Sequence, residues 1–296
     1  MPKILLATLC LNEMEWLPRL YEQHKNWPGL VGWCFVESAD KVYAEANPRL
    51  VNNCGLSTDD TSHFLEELAL MNDYISYVPK GFSTHADPAQ GKCESRNCYL
   101  DVAERIEPDF VIVLDADEFY TKADQARIHT LLEEVLTYNM AETSYLLKQR
   151  HIWHPDVLMN LGKPAFDLEV VGGYWGVPHC RIWKFIKGMR YINNHNIPRY
   201  ITNVLANSQM ARFDLVGIAQ PQCIHMGFAS GNDMRAAKHR YYEARGEGRN
   251  DNRQKYVDCR HAYETWKPGD RLPHEARVIK YQGPIPEVFL PRPYSE

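Results

Sequence analysis

The sequence predicts an α/β fold, a mostly parallel mixed sheet flanked by helices, with a C-terminal helical extension and an extended tail. Three observations predict it. Short apolar runs, such as residues 4–9, 30–36 and 110–114, end in polar residues. Stripes of helical period separate these runs, and the connecting segments are short. Parallel strands need a crossover to meet, so strands that alternate with helices argue for a parallel sheet.

The elements follow in order. Residues 4–9 suit a buried first strand, and Asn12 suits an N-cap for a helix through His24, with Trp16, Leu17, Leu20, Tyr21 and His24 on one stripe. Pro18 is tolerated in the first turn of such a helix. "LVGWCFVES" (30–38) reads as a second strand and "STDDTSHFLEELALM" (57–71) as a capped helix. "DYISYVP" (73–79) alternates as a third strand, and "GFSTHADPAQG" (81–91) reads as a loop. A helix over 92–109 is expected to turn Cys98, Val102 and Ile106 inward. A strand at 110–114 follows, then a helix over 123–138 with Ile128, Leu131, Leu132, Val135 and Leu136 inside.

The rhythm then changes. Segments 143–153, 166–185 and 189–202 read as strands and long polar loops without regular helices between them, which suits antiparallel edge strands and ligand loops. Residues 232–249 and 253–266 read as late helices. The last 29 residues, from Pro268, hold five further prolines and read as an extended tail. A catalytic domain over 1–230 and a C-terminal part over 231–296, packed on it or extending from it, are the expected division.

Composition narrows the function classes. A chain of 296 residues, 45% hydrophobic and 24% charged, builds its own core without staples. Thirty-three basic against 38 acidic residues leave a formal charge of -5, which gives no general attraction to nucleic acid or anionic membrane. The eight cysteines read as reduced thiols of a cytosol-like compartment, and the expected location is cytoplasmic. The apolar start ends at Asn12 and Glu13 without a cleavage site, and no stretch approaches 18 apolar residues. Neither "GxxxxGK" nor "GxGxxG" occurs, which weighs against a P-loop kinase or a nicotinamide enzyme.

The chemistry gathers at strand ends, where open α/β sheets collect ligands. "CLNE" (10–13), "ESADK" (37–41), "PKGFSTH" (79–85) and "DADE" (115–118) are all polar, so Asn12, Glu13, Glu37, Asp40 and Ala116 are expected to border one cleft. In "FVIVLDADEFY" (110–120), a buried strand runs directly into acids. Alternation puts Asp115 and Asp117 on one side, and two carboxylates suit Mg²⁺ or Mn²⁺ shared with substrate phosphates. A solvated acidic loop is the competing reading. His225, in "QCIHMGFASG" (222–231), is the candidate third ligand, and a hydrogen-bonded partly buried histidine is its plainer account. Lys92 and Arg96 suit phosphate oxygens or surface pairs with Glu94 and Asp101. Tyr174 and Trp175 suit stacking on an acceptor sugar or base, or an ordinary core.

These segments resemble the family-2-like glycosyltransferases with a GT-A fold. The matching pieces are "TLCLNEMEWLPRLYEQH" (8–24), "VESADK" (36–41), "GKCESRNCYLDVAE" (91–104), "VIVLDADEFY" (111–120) and "IHMGF" (224–228). The resemblance implies a GT-A-like, Rossmann-type sheet and a nucleoside-diphosphate sugar donor held through a Mn²⁺ or Mg²⁺ ion at the DxD pair, Asp115 and Asp117. It puts Glu37 or Asp40 by the nucleoside, Arg96 and Asn97 beside the donor, and His225 on the metal side. It implies displacement at the anomeric carbon, inverting if the acceptor attacks directly. The family's acidic base motif is not recognisable after "YWG", and Asp167, Glu169 and Asp214 are the base candidates in that order. The acceptor hydroxyl is left open among a glycan, a lipid-linked sugar, a protein and a modified nucleic-acid base. Two other readings share these residues: a metal-dependent nucleotidyl or phosphoryl transferase, and a nucleotide- or carbohydrate-binding module without turnover.

Overall fold

In the computed structural model the described residues are 1–140, 144–153, 168–171, 179–192, 196, 198–200, 210–212, 221–228, 237–238, 240–241, 244 and 277–290. The chain begins with β1 (Ile4–Cys10), α1 (Leu17–His24), β2 (Leu30–Ala39), α2 (Lys41–Ala46), α3 (Thr61–Met71), β3 (Ile75–Phe82) and α4 (Pro88–Ile106). It continues with β4 (Phe110–Val113), β5 (Glu118–Phe119), α5 (Lys122–Thr137), β6 (Ser144–Trp153), β7 (Leu168–Val171) and β8 (His179–Lys184). Then come β9 (Met189–Arg190), β10 (Arg199–Tyr200), β11 (Met210–Arg212), β12 (Gln222–Phe228), β13 (Arg277–Lys280) and a 3-10 turn at Glu287–Phe289.

The main sheet runs β13-β7-β6-β8-β4-β1-β2-β3. β4, β1, β2 and β3 are parallel, while β8 is antiparallel to both β4 and β6, and β7 to β6 and β13. The expected α/β architecture is the one observed, and the change of rhythm after residue 140 marks where antiparallel pairing enters, although β11 and β12 still pair parallel with β6. β3, which carries Pro79, is the outer strand of the parallel half, where a missing N–H costs no ladder bond.

Each inner strand buries both faces. Ile4, Leu6, Phe110 and Ile112 pack with Leu17, Leu20, Leu65, Leu68, Ile128, Leu131 and Val135 on the α1, α3 and α5 side. Leu5, Ala7, Val111 and Val113 turn the other way, against Tyr99, Leu100, Val102 and Ala103 of α4. This alternation explains why β4 tolerates no polar residue until Asp115.

Local differences from expectation have physical causes. Asn12 is not a helix cap: its φ is 54°, its Oδ1 accepts from the Thr58 N–H at 2.9 Å and its Nδ2 donates to the Leu50 carbonyl, while α1 starts at Leu17. α4 starts four residues before Lys92, because Asp87 caps it by accepting from the Ala89 N–H at 2.9 Å and Pro88 suits the first turn. Leu136 is exposed, one position off the stripe made by Leu131, Leu132 and Val135. The tail is not merely extended, since β13 joins β7 and the 3-10 turn packs on the body. The second late helix, 253–266, lies outside the described residues.

One buried histidine links the fold to pH. The Tyr120 N–H donates to His24 Nε2 at 3.1 Å, so His24 Nδ1 carries the proton and donates to the Leu20 carbonyl at 2.9 Å. Burial, with Lys122 adding to it and the Leu20 bond opposing, lowers His24 from 6.5 to about 3. The unfolded chain therefore takes up this proton first as pH falls. The contribution of His24 is whole above about pH 6.5 and declines below it, by roughly 1.4 kcal/mol per pH unit, towards about pH 3. We expect the Tm advantage of the wild type over His24→Asn to shrink between pH 7.5 and pH 5. An advantage independent of pH would show that His24 does not titrate this way.

Candidate active site

A cleft of about 320 Å³ opens at the carboxyl ends of β1, β2 and β4. This lies at the lower end of the ~300–1,000 Å³ typical of small-molecule sites. Residues after β1 (Leu11, Asn12, Glu13), after β2 (Asp40, Tyr43), from α4 (Gly91, Lys92, Ser95, Arg96) and after β4 (Asp115, Ala116, Asp117) line it, joined by His225, Lys238 and Tyr241. A Cβ at Gly91 would sit 2.6 Å from Ser83 Oγ, so glycine is what lets α4 approach this wall.

The acidic turn is built by the backbone. Leu114 N–H donates to the Ala7 carbonyl at 2.9 Å, carrying the β1 ladder one step past β4, and Glu118 N–H then turns back to the Asp115 carbonyl at 3.0 Å. β5 pairs antiparallel with β12, setting Glu118 opposite His225 and Phe119 opposite Ile224. Met226 N–H donates to the Asp117 carbonyl at 2.7 Å. These bonds bring His225 Nε2 to 3.5 Å from Asp117 Oδ2 across more than a hundred residues of sequence. His225 Nδ1 lies 3.1 Å from His151 Nδ1 on the neighbouring strand β6.

Two arginines hold the other acids. Arg181, from β8, donates through Nη2 to Asp115 Oδ2 at 2.8 Å and to Glu118 Oε1. Gln149 Nε2 also donates to Glu118 Oε1, and the Asp115 N–H donates to its Oε2 at 3.1 Å. Arg96 Nη2 stands 4.0 Å from Asp115 Oδ1, with its guanidinium over the Tyr191 ring. Burial works against the charged form of Asp115, but Arg181 and then Arg96 override it and hold this carboxyl well below its usual range. Burial raises Asp117, with Lys238 opposing and the charge of Asp115 adding. Glu13 is raised well above its ordinary value by burial and then by Asp117. Burial, with Lys238 adding, keeps His225 neutral well below pH 6.5.

These residues suit a divalent cation in one particular way. A neutral imidazole facing a carboxylate, beside two further acids whose repulsion a cation would relieve, is a chemically suitable donor set. Among the described residues, however, no group of three or more His, Cys, Asp and Glu side chains forms a ready metal cluster, and Asp115 is already engaged by Arg181. Asp117 and His225 are the pair that could hold a cation, and the described residues do not form an all-protein cage.

The other expected residues divide. Asn12, Glu13, Asp40, Lys92, Arg96, Asp115, Ala116 and Asp117 all border the cleft. Glu37 does not: it is fully buried and accepts from Ser57 N–H at 2.6 Å, from Ser62 Oγ at 2.9 Å and from Tyr77 OH, so its carboxylate pins α3 and β3 to β2. Asp40 caps α2 through the Tyr43 N–H at 2.7 Å and accepts from Tyr241 OH at 2.6 Å. Asn97 faces away and exchanges hydrogen bonds with the Tyr191 backbone at 3.1 and 2.8 Å. Glu169 is buried on β7 in a two-point pair with Arg150 and is not among the cleft residues. Asp167, Tyr174, Trp175 and Asp214 lie outside the described residues.

Sequence reasoning missed Arg181, His151, Lys238 and Tyr241. Arg181 sits in the alternating run "HCRIWK", where an inward charge is the one signal available; the others carry no local mark. Ala237, Lys238, Arg240, Tyr241 and Ala244 fall in the expected late helix, which Asn47 ties to α2 through the Ala237 carbonyl at 3.1 Å and Arg240 Nε at 2.8 Å. No disulfide joins the described cysteines, and no helix among the described residues is long and apolar enough to cross a membrane.

No family model and no curated protein matches the chain. Among solved structures it is similar to residues 1–349 of TarS from S. aureus, at 10% identity over 88% of this chain and 72% of that one, with a TM-score of 0.41. It is also similar to a longer S. aureus TarS structure, at 9% identity and a TM-score of 0.38, covering 88% of this chain and 43% of that one. At these values the likeness bears on neither activity nor substrate.

Proposed function

We propose that the chain is a metal-dependent glycosyltransferase that moves a sugar from a nucleoside-diphosphate donor to an acceptor hydroxyl. The observation that carries the reading is the meeting of Asp117 and His225 at 3.5 Å, beside Asp115, on the floor of a cleft at the carboxyl ends of parallel strands. The resemblance of "GKCESRNCYLDVAE" and "VIVLDADEFY" to the family-2-like enzymes supports it.

Asp117 and His225 would hold Mn²⁺ or Mg²⁺, which when bound supplies Lewis acidity to the leaving diphosphate. Lys92, Arg96 and Lys238 bring positive charge to the walls, where diphosphate oxygens would lie. The acceptor oxygen would form its bond to the anomeric carbon as the bond to the diphosphate breaks, with that electron pair leaving on phosphate. The base that takes the acceptor proton would come from outside the Asp117–His225 pair. Glu169 is held by Arg150, which leaves Asp167 and Asp214 as the earlier candidates.

The test is a thermal-shift panel of nucleoside diphosphates and nucleotide sugars with and without Mn²⁺. A matched nucleotide at one hundred times its Kd should stabilise by ~2.7 kcal/mol, a rise of roughly 5 °C for a chain this long. Release of nucleoside diphosphate from a sugar donor would then mark glycosyl transfer. Equal shifts in excess EDTA would overturn the metal-dependent reading, and release of pyrophosphate or nucleoside monophosphate would turn it to nucleotidyl or phosphoryl transfer.

A further inference from the structure

The C-terminal segment closes on the acidic turn from behind. Having paired β13 with β7, the chain passes Gly283 and reaches the 3-10 turn at Glu287–Phe289. There the Phe289 ring lies 4.8 Å from Phe119 and 6.5 Å from Trp16, both edge-on, while Trp16 and Phe119 stand 6.2 Å apart. Trp16 lines the cleft, and Phe119 directly follows the acidic turn and pairs with Ile224.

A polar tie runs alongside this aromatic trio. The Glu287 carboxylate accepts from Gln23 Nε2 at 2.6 Å and from the Lys122 N–H at 3.1 Å, while the Val288 N–H donates to Gln23 Oε1 at 3.0 Å. The same Gln23 Nε2 donates to the Tyr120 carbonyl at 2.9 Å. Gln23 is buried, so its amide joins the tail to the backbone that leaves the acidic turn. Both ties end on residues 119–122, and from there the β5–β12 pairing and the Met226–Asp117 bond set the distance between Asp117 and His225.

We infer that Glu287 and Phe289 are positioning residues for the Asp117–His225 pair. The segment that carries them is thus part of the site through its ties to residues 119–122. A two-residue strand such as β5 has too few ladder bonds to hold a turn of mutually repelling acids, and the tail supplies the missing support. For catalysis this rests on the function proposed above; the mechanical claim about the turn stands apart from it.

Hydrogen exchange on the 296-residue chain tests the mechanical claim. Phe289→Ala should speed exchange of the amides in 115–120 and 224–226 by about tenfold or more, whereas Leu68→Ala, a core truncation in α3 producing a comparable loss of Tm, should not. Phe289→Leu should restore most of the protection, and Glu287→Gln serves if Phe289→Ala does not fold. Unchanged exchange in those segments, or equal acceleration by Leu68→Ala, would overturn the inference. In the same variants the Mn²⁺ concentration for half-maximal nucleotide stabilisation should rise about tenfold, since supporting contacts of metal ligands commonly weigh that much. Faster exchange with an unmoved Mn²⁺ midpoint would overturn the link to binding. A wild type without any Mn²⁺ dependence would instead defeat the proposed function, while the exchange result still decides the role of the tail.

Discussion

Arg181→Met is expected to cost about 3–5 kcal/mol of stability, the usual consequence of leaving buried carboxylates without their partner. Arg181 donates to both Asp115 and Glu118, and Glu118 is fully buried with neighbours Asp115 and Asp117 of its own sign. Burial already pushes the Glu118 carboxyl up to about 8 against the pull of Arg181, and losing that pull moves it further towards the neutral acid. Thermal unfolding should show a fall in Tm of roughly 10 °C. Adding Glu118→Gln should recover part of the loss, because an amide is neutral without the protonation that the buried carboxyl needs once Arg181 is gone. A single variant within 1 kcal/mol of the wild type would show that the turn does not depend on this guanidinium.

Asp117→Asn should behave in the opposite way, losing function while keeping the fold. Cation-assisted nucleotide binding and turnover are expected to fall on the order of 100-fold, about 2.7 kcal/mol of lost stabilisation. The amide keeps the shape of the side chain, and it removes a carboxyl that burial and Asp115 both make costly to charge. Its Tm should therefore equal or exceed that of the wild type by a degree or two, roughly 0.5 kcal/mol. Titrating Mn²⁺ against a nucleoside diphosphate in both proteins, with Tm measured alongside, separates these effects. Binding and turnover unchanged in the variant would remove Asp117 from the site.

Together the two substitutions assign different work to the acids of "DADE". Asp115 is clamped between Arg181 and Arg96, and Glu118 is locked beneath by Gln149 and Arg181. Of the three acids, Asp117 is the one that faces an imidazole, that of His225 at 3.5 Å. Alternation along an extended strand is the expectation for Asp115 and Asp117, but β4 ends at Val113 and residues 115–118 form a turn, and spacing alone does not show which carboxylate meets arginine and which meets an imidazole.

Glu37 teaches the same lesson. As a polar residue at the end of a buried strand it has the sequence character of a ligand. In the folded chain the Ser57 N–H before α3, Ser62 on α3 and Tyr77 on β3 satisfy it, while Asp40, three residues on, reaches the cleft wall. Asn97 likewise sits one residue from Arg96 and points to Tyr191 instead of the cleft.

The sequence by itself determined the alternation of strands and helices through residue 140, the burial of β1, β2 and β4 on both faces, and the placing of acids where β4 ends. These are local properties: a two- or 3.6-residue period and a change from apolar to charged residues are complete within a dozen positions. Only the tertiary structure decided that Arg181 clamps Asp115, that His225 meets Asp117, and that Glu287 and Phe289 back the turn. Those meetings depend on the register between strands and on how a distant segment docks: a one-residue slip in β12 would turn His225 to the other face, and one in β8 would do the same to Arg181.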